Sequence, residues 1–302
     1  MEQAMRGMES SPLVVVAGAS GDLGDSIVNA LMARNVKVRA LVRRPSDRLA
    51  RRGIDQLPVA FEDSAALTRA LGGAICVVSA LNGTAPVILD AQGRLLDAAV
   101  AAGVPRFIPT DFCLDYRATR PGDNRNMDLR RQFAARVDAA PIRATSILNG
   151  PFAELLKGEA PIVLHRFRRV LFWGDADQLF DFTTKDDVAS FTADTALDSD
   201  APRYLRISGD QISSRGLAKL LTEMDGRCWR LFRAGGTARL SALITVARAL
   251  TPESDAPFPA WQGMQYLRDM ATGRGKLHDL DNGRYGKRDW TSASAVLAST
   301  LA

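Results

Sequence analysis

Near the start of the chain an apolar run, Leu13-Val14-Val15-Val16-Ala17, gives way to Gly18-Ala19-Ser20-Gly21-Asp22-Leu23-Gly24, and a helical pattern follows at once. This joint constrains the fold more than any other feature. A bare glycine triplet carries little information; one between a buried strand and a helix carries much more. Glycine lets the main chain turn tightly and approach a diphosphate, whose charge then rests against the positive N-terminus of the helix. The motif therefore implies a bound dinucleotide, with Gly18, Ser20, Gly21, Asp22, Leu23 and Gly24 around it.

The pattern after this joint alternates. Apolar runs at Leu13–Ala17, Val36–Val42, Leu57–Ala60, Ile75–Ser79, Arg106–Pro109 and Ala144–Leu148 read as strands. Between them Asp22–Arg34, a short helix opened by Ser46 as N-cap, Ser64–Leu71, Ala85–Ala102 and Asp123–Ala139 read as helices. Strand and helix in alternation imply a parallel sheet covered on both faces. The expected fold is α/β, a Rossmann-type doubly wound sheet over residues 13–150. A smaller C-terminal α+β lobe for substrate or partner is expected over 151–302, with possible return strands to the main sheet. In that second half Val163–Leu164, Val170–Trp173, Tyr204–Ser208 and Trp229–Phe232 read as short strands. Thr184–Leu197, Ser213–Met224, Arg239–Leu250 and Trp261–Thr272 read as helices around a breaker at Thr251–Pro259. Met1–Pro12 reads as a disordered tail.

Composition sets bounds. With 302 residues and 46% hydrophobic content the chain can bury a large core. It has no apolar run of about 18 residues, so no membrane span is expected. Cys76, Cys113 and Cys228 are scattered and odd in number, which suits reduced thiols and a cytoplasmic setting, and no zinc spacing is present. The net charge of +5 is carried mostly by arginine. Basic runs such as Arg166-Phe167-Arg168-Arg169 lack an accompanying nucleic-acid motif and read as a solvated face.

The residue that ends the second strand of this fold reads the adenosine ribose. An acid there accepts from a 2′-hydroxyl, and arginine accommodates a 2′-phosphate. Here Val42 is followed by Arg43-Arg44, with no acid before Asp47. A guanidinium forks onto phosphate and stacks on adenine, so the expected cofactor is NADPH rather than NADH.

Several segments together resemble the NmrA-like and isoflavone-reductase-like group of atypical short-chain dehydrogenases. Gly18–Gly24 looks like its nucleotide motif, and Ala40-Leu41-Val42-Arg43-Arg44 like its second-strand ending. Val77-Val78-Ser79-Ala80-Leu81 is similar to the segment that runs beside the cofactor. Ala102-Gly103-Val104-Pro105-Arg106-Phe107-Ile108-Pro109-Thr110-Asp111-Phe112 matches the stretch A-G-V-x-R-F-x-P-S-E-F. Asn149-Gly150-Pro151-Phe152 stands where the family lines its nicotinamide pocket. The resemblance spans about residues 12 to 225. It implies cofactor contacts from Ser79, Ala80, Leu81, Thr110, Asp111, Phe112, Asn149, Gly150, Pro151 and Phe152.

The resemblance also exposes a departure. The family's reductases carry a lysine four residues before an arginine pair; counting back from Arg130 lands on Asn126. The Tyr-x-x-x-Lys pair of ordinary short-chain dehydrogenases is missing too, since Tyr116, Tyr204, Tyr266 and Tyr285 are followed four residues on by Arg120, Ser208, Met270 and Asp289. A reduced ketone needs a proton donor. Candidates are Asn126 as hydrogen-bond donor, Tyr116 if Arg117 or Arg120 lowers its pKa, and Asp111 beside the cofactor or as a loop anchor. His165 and His278 read as structural, and no metal site is expected. Trp173, Trp229 and Trp261 with Phe152, Phe172 and Phe180 read as core or as an aromatic pocket. Residues 262–270 show apolar positions at helical spacing, read as core packing or a partner face.

Three functions remain open at this point. The first is an NADPH-dependent reductase of an electron-poor, aromatic or quinone-like small molecule, which takes hydride without a strong acid. The second is a non-catalytic NADP(H)-sensing regulator with a protein partner. The third is an NADP-dependent isomerase or lyase. A homodimer is compatible with each.

Overall fold

The computed structural model describes residues 11–251 and 256–301. The tail expected at Met1–Pro12 falls outside these as far as residue 10, as does the breaker expected at Thr251–Pro259 over 252–255. Pro12 is already engaged, its carbonyl accepting from Lys37 N.

The chain forms two compact units. One takes in the chain up to Asp111 with Gln132–Ile147 and Val188–Leu205; the other comprises Phe112–Arg131, Leu148–Asp187 and the chain from Arg206 on.

The first unit is built on a six-stranded sheet of β1 (Leu13–Ala17), β2 (Lys37–Val42), β3 (Asp55–Pro58), β4 (Cys76–Ser79), β5 (Arg106–Ile108) and β6 (Arg143–Ala144). Its order is β3-β2-β1-β4-β5-β6 and every pairing is parallel. This is the doubly wound Rossmann order. Val14, Val15 and Val16 are buried on both faces, as are Cys76, Val77 and Val78, which explains why these strands read as continuous apolar runs. Helices α1 (Asp22–Met32), α2 (Asp47–Ala50), α3 (Ser64–Leu71) and α4 (Gln92–Ala101) connect the strands. α1 buries Ile27, Val28 and Leu31, one stripe at helical spacing.

Local details differ from expectation. Ser46 precedes α2, but its side chain caps nothing. Its main chain is tied instead to the Gln56 amide, which accepts from Ser46 N and donates to Ser46 O. The third strand lies two residues earlier than expected, because β2 pairs it in the register Arg39↔Asp55 to Val42↔Pro58, and Arg39 bridges to Asp55 at 2.8 Å. The long helix expected at Ala85–Ala102 is split into a π-helix at Pro86–Ala91 and α4.

Helix α5 (Arg125–Ala139) and strand β7 (Ser146–Leu148) follow β5 and β6. The chain then runs through β8 (Val163–Leu164), β9 (Arg169–Trp173), β10 (Leu179–Phe182), α6 (Lys185–Leu197, of the first unit from Val188 on), β11 (Tyr204–Arg206, of the first unit as far as Leu205), β12 (Asp210–Ser213), α7 (Ser214–Asp225), β13 (Arg230–Gly235), α8 (Thr237–Leu250), α9 (Ala260–Ala271) and α10 (Ala293–Leu301), the others belonging to the second unit. β10 and β12 form an antiparallel pair. β13, β9 and β8 form a three-stranded sheet, parallel on one side of β9 and antiparallel on the other. α7 packs on β9, α8 packs against α9, and α10 packs on α7 and on the 3-10 turn Ala153–Lys157.

Residues 262–270 lie in α9, whose buried face mixes Gln262, Gln265 and Asp269, at i, i+3 and i+7, with Trp261, Met270 and Ala271. Met264 and Leu267 are only half-buried.

Among the described residues no helix is long and apolar enough to cross a membrane. All three cysteines are unbridged; Cys76 and Cys113 are buried and Cys228 is exposed. Burial pushes the Cys76 thiol up to about 12, against a smaller opposite pull from Arg106. Since the thiolate is the reactive form, iodoacetamide is expected to alkylate Cys228 alone in the folded protein and all three thiols in denaturant, read by peptide mass. Rapid native labelling of Cys76 would contradict this packing.

Candidate functional site

At the carboxyl edge of the main sheet, register aligns the segments that sequence reasoning singled out. Ala17 pairs with Leu41 and with Ser79, and Val78 with Ile108. Gly18, Val42-Arg43, Ala80-Leu81 and Pro109-Thr110 therefore leave the sheet at one edge. Gly18 adopts φ +81°, and a Cβ there would lie 2.6 Å from the Ala80 carbonyl oxygen. Gly21 N donates to Gly18 O at 3.0 Å and closes the turn. A Cβ on Gly24 would lie 2.1 Å from Gly18 O, so only glycine lets the first turn of α1 approach the loop this closely. Gly21 caps the helix with no side-chain hydrogen bond. Ser20 and Asp22 are exposed, and Leu23 is half-buried.

Charge around this turn is unevenly neutralised. Arg48 and Arg52 both bridge to Asp25, at 3.4 and 2.6 Å, and Arg48 also donates to Ser20 O at 3.0 Å. Sequence reasoning passed over Arg48, whose role depends on the short helix that carries it back to the turn. Arg43 and Arg44 are exposed, and neither has a carboxylate partner among the described residues.

The loops after β4 and β5 are locked together. Thr110 Oγ1 donates to Leu81 O at 2.6 Å, and Thr110 N donates to Gln92 Oε1 at 2.9 Å. Gln92, buried where the π-helix meets α4, had no signal in the sequence beyond being a glutamine on an apolar helix. The Ser79 hydroxyl oxygen is buried without a hydrogen-bond partner. Asp111 is buried and accepts from Ser146 Oγ at 2.6 Å; Arg203 donates to the same Oγ at 2.6 Å and bridges to Asp138 at 2.7 Å. The carboxylate is thus built into a structural network.

These features fit a dinucleotide: main-chain donors at an uncapped helix start, glycines where a Cβ would collide, and two unneutralised arginines at the second-strand end. No group of histidine, cysteine and acidic side chains suited to a metal occurs among the described residues.

In the second unit, Phe112 is buried, and Asn149-Gly150-Pro151-Phe152 is clamped by main-chain bonds. Asn149 N and Gly150 N donate to Cys113 O, Thr183 Oγ1 donates to Asn149 O, and Phe152 bridges to Thr183. Gly150 has φ +68°, and a Cβ there would lie 2.1 Å from Asp181 O. The Asn149 side-chain carbonyl oxygen is buried without a partner.

Asn126 is buried near the start of α5. Its amide donates to Pro257 O at 3.1 Å, and its Oδ1 accepts from Arg125 Nε at 3.2 Å. The Tyr266 phenol lies close enough for Asn126 to influence it. Tyr266 is the group that sequence reasoning missed here. Burial pushes its phenol up to about 12, while Arg130 and Asn126 pull the other way. Around this pair lies a buried polar network. Asn124 donates to Asp269 at 2.8 Å, Gln262 donates to Asn124 at 2.7 Å, and Arg125 N donates to Gln265 at 3.2 Å. Trp261 lies between the Arg125 and Arg248 guanidiniums, 4.7 and 5.2 Å from its ring centre.

Tyr116 is buried elsewhere in this unit's contacts. Its carbonyl accepts from Arg131 at 2.5 Å, and Arg117 is bound to Asp115 at 2.6 Å, so that cation is committed to a carboxylate. His165 is held by the Leu156 carbonyl and by the edge of Trp229. The aromatic residues expected to cluster have separate partners: Trp229 meets His165, Trp261 meets two arginines, and Phe180 meets Phe182. Thr184 caps α6, its Oγ1 accepting from Asp187 N at 3.2 Å and donating to the Asp187 carboxylate at 2.9 Å.

The sheet order and glycine turn define a Rossmann-type doubly wound fold. The sequence profile of the NmrA-like family matches residues 10–228, and the chain belongs to that family. Solved structures share the fold over nearly the whole chain. AtPrR2 with NADP+ and (+)pinoresinol aligns at TM-score 0.80 and 20% identity, over 96% of this chain and 99% of that one. Isoflavone reductase aligns at 0.80 and 18%, over 96% and 99%. The leucoanthocyanidin reductase–NADPH complex from Vitis vinifera aligns at 0.79 and 18%, over 96% and 99%. No curated protein sequence matches the chain.

Two outcomes check this geometry. Gly24→Ala is expected to cost about 3 kcal/mol of stability, as overpacking against main chain does. Gly21→Ala, whose Cβ would meet Gly18 O only at 3.4 Å, is expected to cost under about 1 kcal/mol. Equal losses in urea titration would contradict the close approach at Gly24. Burial raises the pKa of Asp269, opposed by Asn124 and Arg268. A carboxyl raised in the folded state contributes stability at low pH that is lost as pH rises through the folded pKa. Asp269→Asn removes this loss and keeps an acceptor for Asn124. Its Tm relative to the unsubstituted protein is therefore expected to rise as pH increases above about 4, the ordinary carboxylate range; a constant difference would contradict it.

Proposed function

We propose that this protein is an NADPH-dependent reductase that delivers hydride to an electron-poor, aromatic or quinone-like small molecule. In this reading residues 13–150 hold the cofactor and 151–302 shape the substrate lobe. The observation that carries the reading is the pair Asn126–Tyr266, where an amide stands at the family's lysine position and its partner is a phenol held protonated by burial. Such a pair donates or accepts hydrogen bonds near neutral pH but does not release a proton readily. It suits acceptors whose reduced product is already stabilised, such as quinones, quinone methides or delocalised cationic dyes. For these, positioning dominates the rate.

Bound NADPH would supply the hydride. The Gly18–Gly24 turn would hold its diphosphate by main-chain N–H groups, and Arg43 with Arg44 would neutralise the 2′-phosphate. Ser79, Ala80, Leu81, Thr110, Asp111 and Phe112 would wall the cofactor, and the open acceptor on Asn149 suits a carboxamide N–H. The similar AtPrR2 with NADP+ and (+)pinoresinol, leucoanthocyanidin reductase with NADPH, and isoflavone reductase support this reading. One observation favours a second reading: with Asn126 engaged by Pro257 and close to Tyr266, the chain would serve equally as an NADP(H)-sensing regulator that reduces nothing.

The test is NADPH oxidation by the purified protein against a panel of quinones, triarylmethane dyes and enones. Turnover is expected with the quinones or dyes. No turnover on any acceptor, with comparable affinity for oxidised and reduced cofactor, selects the sensor instead. Arg43→Glu is expected to weaken NADPH by about 10- to 100-fold and NADH far less; equal losses would remove the phosphate-reading role.

A further inference from the structure

Many arginines of this chain bridge to carboxylates, but those gathered at one end of the three-stranded sheet do not. β9 and β13 run parallel with Arg169 and Arg230 as direct cross-strand partners. Like charges placed opposite one another destabilise a sheet unless something neutralises them. Arg168, in the left-handed region at φ 46°, immediately precedes this pair, and its carbonyl accepts from both Arg230 N and the Arg169 guanidinium. Arg166 lies one turn earlier, its guanidinium 5.8 Å from the Phe167 ring. None of these four arginines has a carboxylate partner among the described residues. Asp225, packed at the same end, is already taken: it bridges to Arg227 at 2.7 Å and accepts from the Trp229 indole at 2.8 Å. Arg168 adds only a weaker pull on it.

Apolar surface accompanies this charge. Phe167, on the three-residue turn His165–Phe167, is 64% exposed. Phe232, two residues beyond Arg230 and so on the same face of β13, is 49% exposed. An exposed ring on a short turn, ringed by cations, has the chemistry of a bilayer interface, where arginine meets lipid phosphate and aromatic rings enter the headgroup boundary. A nucleic-acid strand binder recesses its stacking rings in a basic groove, and this cluster has no amide or hydroxyl side chain to read base edges.

We propose that this end of the sheet, Arg166 to Arg169 with Arg230 and Phe232, docks on an anionic phospholipid surface. Phe167 enters the headgroup layer, and the arginines neutralise lipid phosphates. The assignment stands apart from the reductase reading, because no residue in it belongs to the cofactor or Asn126 clusters.

The test is co-sedimentation of the full chain with vesicles of phosphatidylcholine, alone or with about one-third phosphatidylglycerol. Binding to the anionic vesicles only is expected, declining as salt rises. Arg169→Gln and Arg230→Gln are each expected to weaken it about fivefold with no fall in Tm, since each relieves the like-charge pair, and Phe167→Ser to weaken it at constant charge. No binding to anionic vesicles overturns the proposal. So does equal binding to neutral vesicles, or binding unchanged in the double arginine variant. Tight binding of oligo-dT without vesicle binding overturns it in favour of a nucleic-acid surface.

Discussion

Close approach of main chain to main chain at the first turn is the constraint on which the first unit depends. Gly18 passes under Ala80 at a separation no side chain could share, and Gly24 lets the opening turn of α1 close on Gly18 itself. These two contacts bring a helix N-terminus to the edge where β1, β2, β4 and β5 all end. Without them the donors of that turn would stand back from any ligand, whatever else the sheet supplied. The Thr110–Leu81 and Thr110–Gln92 bonds perform a related task one strand over, holding two loops in fixed register with side-chain hydrogen bonds.

The second unit solves a different problem. Its α9 buries glutamines and an aspartate where an apolar stripe would ordinarily lie, and such burial is tolerated only when partners are supplied. Asn124, Arg125 and Arg268 supply most of them. A network of this kind fixes geometry more narrowly than apolar packing does, because hydrogen bonds are directional. Asn126 and Tyr266 occur within it, so Asn126 is held in a polar frame.

Much of the first unit was legible residue by residue. Strands β1, β2 and β4 carry continuous apolar runs because both their faces are covered, and α1 carries its stripe because one face is. The harder elements are short or polar. β10 and β12, Leu-Phe-Asp-Phe and Asp-Gln-Ile-Ser, owe their strand form to pairing with each other rather than to any periodicity of their own. The π-turn at Pro86–Ala91 hides inside a segment whose composition suits an α-helix. Tyr266 was visible only as a tyrosine lacking a lysine four residues on; its approach to Asn126 links α9 to α5, far apart in sequence, and leaves no local trace.

The amino-acid order alone thus determined the strand–turn–helix that opens the fold, the alternation that follows it, and the arginines at the end of β2, since each rests on neighbours within a few turns of chain. Folding in three dimensions decided which cations are neutralised, that Asp111 is bound to Ser146, and that Asn126 meets a phenol. These depend on contacts between segments far apart along the chain, where burial and hydrogen-bond direction, not local propensity, select the partner.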